Sequence, residues 1–522
     1  MKERFDVAVI GSGFAGSLMA MIAKQLGLRV VLLERGRHPR VVIGESSTPL
    51  SNLLLEELAD RYSLSNIRSL SKWGTWQQHH PELACGLKRG FSFFHHHTGG
   101  SGPVDRKDQL LVAASPYDAI ADTHWYRADF DAYLVSEAER LGVVYLDEVE
   151  LQQFIEEERE TVLRGRHGGH ELESRASFVV DATGPRGFLH RSLGLGERNL
   201  PGMPSTEALY SYFDGVKRIE ETGGVVLAGE PPYPVDDAAV HHVIDGGWVW
   251  VLKFSNGVTS AGIAATSALA TQLRLSEGES AWERLLDGIP VLREQFRDAK
   301  PLQPFRHIRK LSFRSAAVTG PRWALLPSAA GFVDPLLSTG FPLTLMGVAR
   351  VAEILEKYWG RDEFGGKLSG YATRTDAELL ATSRLIGALY ANFGNFSVFS
   401  ALSLLYFAAA SYSEASRRLG KPQLASSFLL HDHPEFGPGS ARVLEQALTA
   451  RNEAESKAVI EAIYRVIEPI DVAGLSDRTR RNWYPADAKD LYQAAHKLGA
   501  SRWEIAQMLE RCGFNAAISL LM

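Results

Sequence analysis

Asp6-Val7-Ala8-Val9-Ile10-Gly11-Ser12-Gly13-Phe14-Ala15-Gly16 is the stretch that decides how this chain begins to fold. Val7 to Ile10 is an apolar run of strand length, and Ala15 to Leu26 is rich in helix formers. Arg29 to Leu33 is a second apolar strand that ends in Glu34. Strand, glycine turn, helix and strand in that order make a Rossmann-type βαβ unit, which a lone GxGxxG would not establish. Gly11 permits the tight turn, Gly13 lets backbone approach a pyrophosphate, and Gly16 lets helix pack on strand. Phe14 and Ala15 open the helix, whose free N–H groups face the phosphates. Glu34, with Arg35 beside it, stands where a carboxylate accepts hydrogen bonds from ribose hydroxyls.

Further along, Phe178-Val179-Val180-Asp181-Ala182-Thr183-Gly184 is an apolar strand ending in DATG. FAD proteins of the hydroxylase type return to their cofactor with such a segment, so Asp181 and Gly184 join the expected FAD site. No second strand–GxGxxG–helix occurs, so a resident NAD(P)H domain is not expected and reduced flavin must come from elsewhere. Helices are predicted at about 50–62, 129–141 and 341–358, and strands at 143–146 and 323–326. Between about 205 and 265, Asp245-Gly246-Gly247 and Ser255-Asn256-Gly257 separate strand-like runs, as hairpin turns do. The expected fold is α/β. A discontinuous FAD-binding domain (1–85, 125–195 and 310–360) carries an antiparallel β-sheet substrate-side domain (86–124 and 196–309) and a helical C-terminal region (361–522).

Composition narrows the function. The 522 residues carry a formal charge of -6 and no Lys/Arg cluster, so nucleic acid is not an expected partner. Two cysteines, Cys85 and Cys512, give neither a disulfide framework nor a zinc spacing. No signal-peptide pattern opens the chain, and a cytoplasmic setting is expected. Leu385 to Ser413 is uncharged, but its asparagines, glycine and serines suit buried or pocket-lining helices better than a bilayer span; peripheral membrane contact stays open.

Four segments resemble the flavin-dependent halogenases. Beside the glycine turn they are Gly44-Glu45-Ser46-Ser47-Thr48-Pro49, Gly247-Trp248-Val249-Trp250, and Ala330-Gly331-Phe332-Val333-Asp334-Pro335-Leu336-Leu337-Ser338-Thr339-Gly340. Trp125 to Asp131, with Arg127, resembles the segment where such chains re-enter the FAD domain. The likeness covers roughly the first 360 residues. It implies that reduced FAD and O2 convert a halide to hypohalous acid. The acid travels to a lysine, and an electron-rich carbon of an aromatic or carrier-tethered substrate is halogenated. A separate flavin reductase is implied as partner. Glu45 and Ser46 would line the flavin side. Ser338, Thr339 and Gly340, at a helix N-terminus, would hold the halide. Trp248 and Trp250 would face the substrate, although alternate residues of any half-buried strand share a face.

Two lysines compete. Lys88-Arg89-Gly90-Phe91-Ser92-Phe93 matches the family's string and is preferred, whereas Lys72-Trp73-Gly74 has the family's spacing from the Glu45 loop. The chain also departs from the family. Leu252-Lys253 follow the tryptophans instead of Ile-Pro, and Pro327-Ser328 replace Gly-Asp, leaving Ser328 and Asp334 as the polar groups near the flavin. His95-His96-His97 is not expected to bind metal, because consecutive strand residues face opposite ways; His95 and His97 would line a pocket together. Other chemistries considered are a monooxygenase (hydroxylase or epoxidase) of the same fold and a flavoprotein reductase of unsaturated lipid-like chains.

Overall fold

A computed structural model describes residues 4–97 and 102–514. The chain starts with β1 (Arg4–Ile10), α1 (Phe14–Gln25) and β2 (Val30–Leu33), followed by α2 (Pro49–Arg61). β1 is buried from Val7 onward and lies in the middle of an eight-stranded sheet. Parallel partners flank it. β2 lies on one side, and beyond it β7 (Val144–Leu146). On the other side lie β10 (His170–Asp181) and then the strand Trp323–Leu325. β8 (Val149–Glu156) and β9 (Thr161–His167) extend from β10 as an antiparallel meander. The helix predicted near 129–141 runs from Arg127 to Arg140, and the one near 341–358 from Gly340 to Tyr358.

The second sheet has nine strands. Its hairpins join β12 (Ala239–Ile244), β13 (Gly247–Lys253) and β14 (Thr259–Thr266) at the two predicted turns, where Gly246 and Gly257 take positive φ. β11 (Thr206–Asp214) pairs with β14. Gly262 stands opposite Trp250, and a Cβ there would run into the Trp250 ring and the Tyr210 Cβ. The sheet is not wholly antiparallel, contrary to expectation. β4 (Gly90–His95) joins β12 in parallel, and Trp483–Tyr484 joins β5 (Gln109–Ala113) in parallel. Neither pair is linked by a hairpin, so nothing in the connection imposes antiparallel order. Trp483–Tyr484 also places a strand within the stretch expected to be helical.

Between the sheets sits a small antiparallel pair, β3 (Cys85–Lys88) with β6 (Asp122–Trp125). The uncharged stretch forms the end of the helix Phe364–Ala391 and most of the helix Phe396–Arg418. The latter is long and apolar enough to cross a membrane, but 83% of its apolar window is buried inside the protein. Two of its serines are satisfied within the helix, Ser403 donating to Phe399 O and Ser413 to Ala409 O, while the buried hydroxyls of Ser400 and Ser416 have no partner among the described residues.

Candidate functional site

The glycine turn forms a cradle whose shape follows from missing side chains. Gly11 has φ +94°, and a Cβ on Gly16 would fall inside the Gly11 carbonyl oxygen. Gly13 is different. A Cβ there would lie 3.4 Å from the end of the Arg127 side chain, an ordinary contact. The protein itself therefore tolerates a side chain at 13, and what requires glycine is a group lying against the backbone. At the end of β2, Glu34 is buried and accepts from Ser12 N at 2.9 Å, Gly36 N at 2.8 Å and Arg40 at 3.1 Å. Burial opposes its charge, but Arg40 and the two N–H groups prevail and hold its carboxyl below the usual range. Arg35 is exposed, and Arg40 rather than Arg35 pairs with Glu34.

Asp181 spends its carboxylate on the turn that follows it. It accepts from Thr183 N at 2.8 Å and Leu189 N at 2.7 Å, which shapes the loop where Gly184 takes φ +81°. Arg127 makes a buried two-point pair with Asp131 and donates to Gly44 O at 2.8 Å. It thereby ties the Glu45 loop to the glycine turn. Phe14, Trp125 and Phe341 pack together beside it. The cradle, the helix N-terminus and the acidic group at the end of β2 are the donor and acceptor set that an FAD pyrophosphate and ribose need, so the residues fit that cofactor.

The loop 334–340 crosses the same region. Leu337 and Ser338 have φ +61° and +55°, a rare conformation just before the helix Gly340–Tyr358, and Ser338 N donates to Pro335 O at 3.1 Å. A Cβ on Gly340 would meet nothing within 4 Å. Asp334 faces the other way. It accepts from Trp248 Nε1 at 3.2 Å, Tyr390 Oη at 2.8 Å and Leu336 N at 3.0 Å, and burial raises its carboxyl to about 7. Ser328 sits half-buried in the short helix Pro327–Ala330.

The two lysines part company in three dimensions. Lys72 is 21% exposed and lies 3.6 Å from Glu56. Lys88 is fully buried. Its Nζ donates to Ser46 Oγ at 2.9 Å and to the Ser47 carbonyl, and sits 3.7 Å over the Phe91 ring. The Glu45 loop thus grips Lys88. Ser46 also bridges to His124 of β6, so the loop is effectively a third strand beside the β3–β6 pair. Directly opposite Lys88 in that pair is Asp122. Burial pushes the lysine down and the aspartate up, while their mutual attraction opposes both shifts. Glu45, also buried, accepts from Tyr212 Oη at 2.7 Å, and desolvation raises its carboxyl to about 7.

Trp248 and Trp250 share a face with ring centroids 5.7 Å apart, and His241 stacks on Phe93 at 4.4 Å within the same aromatic layer. Of the three histidines, His96 turns to His242 at 2.8 Å, while His95 and His97 share the opposite side with Asp108. The ligand atoms of His95, His97 and Asp108 lie within 4.8 Å of one another, a grouping that could hold a metal ion. Sequence reasoning missed Asp122, Asn52, Tyr212, His241 and Arg40, although Asn52 follows Pro49 by three residues, Asp122 precedes Trp125 by three and Arg40 follows Glu34 by six.

Residues 6–244 match the protein family described as FAD dependent oxidoreductase. The chain is 26% identical to the monodechloroaminopyrrolnitrin halogenase PrnC of Pseudomonas fluorescens, over 90% of this chain and 83% of that protein. It is 25% identical to the tetracycline 7-halogenase of Kitasatospora aureofaciens, over 78% and 73% respectively. Among solved structures, halogenase PltM in complex with phloroglucinol and FAD superposes with a TM-score of 0.78 at 22% identity, covering 91% of this chain and 99% of that one. Fold and cradle define the class: the protein is an FAD-dependent oxidoreductase. Within that class its relatives are the flavin-dependent halogenases.

Proposed function

We propose that the protein halogenates an electron-rich ring, aromatic or carrier-tethered, by delivering hypohalous acid through Lys88. Bound reduced FAD, with O2, supplies the two-electron oxidation that turns a halide and a proton into hypohalous acid, with water as the second product. The cradle at Gly11–Gly16 binds the pyrophosphate, and Glu34 the ribose. N–H groups of Thr339 and Gly340 hold the halide at the start of a long helix. Glu45, buried and largely neutral below pH 7, can hold the proton the oxidation consumes. A relative acts on a 1H-pyrrole-2-carbonyl group bound to a peptidyl-carrier protein, which supports the tethered alternative. No second dinucleotide unit is visible in the sequence, so reduced FAD comes from a separate flavin reductase.

The observation that carries this reading is the grip of the Glu45 loop on Lys88. An ammonium or amine held dry at the inner wall of the flavin loop can donate to hypohalous acid or take its halogen, and the depressed pKa makes the free amine accessible near neutrality. The test is turnover with photoreduced FAD, O2 and bromide, with product followed by mass spectrometry. Bromine incorporated into an arene is expected. Oxygen incorporated without bromine would move the protein to the hydroxylase class.

A further inference from the structure

We propose that Asp122 selects the substrate, accepting a hydrogen bond from an O–H or N–H group carried by the ring that is to be halogenated. This rests on the halogenase reading for the chemistry that follows binding. Asp122 opens β6 and is 6% exposed. Its Oδ1 accepts from Asn52 of α2 at 2.8 Å, while Oδ2 is buried with no partner among the described residues. The next three residues of β6 repeat the pattern: Thr123 Oγ1, His124 Nδ1 and Trp125 Nε1 are also buried without partners. Burying such groups unpaired is costly, and Asp122 and His124, two apart on the strand, share one face, so that face marks a place where something else binds.

Asp122 also lines a cleft bounded by α2, β5, the helix Phe396–Arg418 and the segment 472–491. Val112, Ile120, Leu475 and Tyr484 make its walls largely apolar, which suits a flat ring. The cations around it are paired: Arg418 with Glu414 at 2.7 Å and with Glu56 at 3.4 Å, and Lys72 with Glu56. An anionic substrate finds no free counter-ion there among the described residues. A second cleft, lined by Ala377, Leu405, His431 and Phe436, receives no residue from β6.

Lys88 opposite favours the ionised form of Asp122, and an ionised carboxylate accepts hydrogen bonds and cannot donate them, so the group it receives must be a donor. That choice matters chemically. A ring O–H or N–H drawn toward Asp122 pushes electron density onto the ring carbons. Lys88, opposite Asp122 in the strand pair, presents the halogen. The carbon–halogen bond forms as the halogen–oxygen bond breaks. The hydroxide released takes up the ring proton, leaving water.

The experiment is calorimetric titration of the FAD-loaded protein with matched rings: phloroglucinol against 1,3,5-trimethoxybenzene, and indole against N-methylindole. The wild type should bind at least one donor-bearing ring about ten-fold or more tightly than its methylated twin. Asp122→Asn should abolish that preference. The proposal is overturned if the wild type separates neither pair, or if Asp122→Asn separates them as well as the wild type does. Should Asp122→Asn fail to fold, Ser411→Trp, which fills the cleft, must abolish binding of both members of each pair; undiminished binding overturns the proposal. A protein that binds by this rule yet yields no halogenated product leaves Asp122 in place and sinks the halogenase reading instead.

Discussion

The cradle at Gly11–Gly16 and the niche around Lys88 lie at opposite ends of the Glu45 loop, and they are built differently. The cradle is local. Its glycines, its helix and the closing Glu34 fall within about thirty residues, as in any βαβ unit, and its shape comes from absent side chains. The niche is assembled from four separate places: residues 46–47, Asn52, Lys88 and Phe91, and Asp122. Its character comes from desolvating groups that are present. The first is specified by backbone geometry and the second by burial, so the two should fail in different ways when altered.

The largest effect belongs to the cradle. Gly16→Val drives a side chain into the Gly11 carbonyl and should prevent folding, seen as loss of soluble, cooperatively melting protein. Gly13→Ala should fold, because the apoprotein leaves room for a methyl group, yet retain FAD at least about ten-fold more weakly, because that methyl group occupies the pyrophosphate approach. Fluorescence titration with FAD separates the two; if Gly13→Ala binds FAD normally, the cradle does not hold the pyrophosphate there.

A second contrast concerns pH. Glu45 in the folded protein titrates near 7, against 4.5 in the unfolded chain. A raised carboxyl binds more protons folded than unfolded, so its stabilising contribution is complete below about pH 4.5 and is lost as pH rises to 7. Glu45→Gln removes that loss, and its stability relative to wild type should improve by up to about 3 kcal/mol across this window. Chemical denaturation at pH 4.5, 6 and 7.5 checks it; a pH-independent difference would mean Glu45 is charged in the fold. A smaller effect is expected at the aromatic layer. Trp248→Phe keeps the ring but removes one of three donors to Asp334, costing about 1–2 kcal/mol of stability in a urea titration.

The same contrast explains what was legible. GxGxxG, the acidic end of β2, DATG and both hairpin turns are local patterns, and each stands where its spacing predicts. The niche could not be read that way. Nothing in Asp122-Thr123-His124-Trp125 announces that it pairs with Cys85–Lys88, because the pairing crosses the whole excursion that forms β4 and β5. Lys88 was preferred over Lys72 on its string alone, against the spacing, for the same reason, and burial is what sets the two apart in the fold. The parallel entry of β4 beside β12 was equally hidden, since strand direction is set by the path of the chain rather than by either strand's residues.

The measurement that bears most directly on the central claim is halogenation by Lys88→Ala beside Lys72→Ala, with photoreduced FAD, O2 and bromide. Lys72 makes a partly exposed pair worth about 1 kcal/mol or less, so its removal should leave product within about two-fold of wild type. Lys88→Ala should bind FAD and consume O2 at the wild-type rate, release hypobromous acid that a thioether trap captures, and brominate the ring at less than about a hundredth of the wild-type rate, as expected when a nucleophilic relay is lost. Undiminished bromination by Lys88→Ala, or its loss in Lys72→Ala alone, would contradict the account.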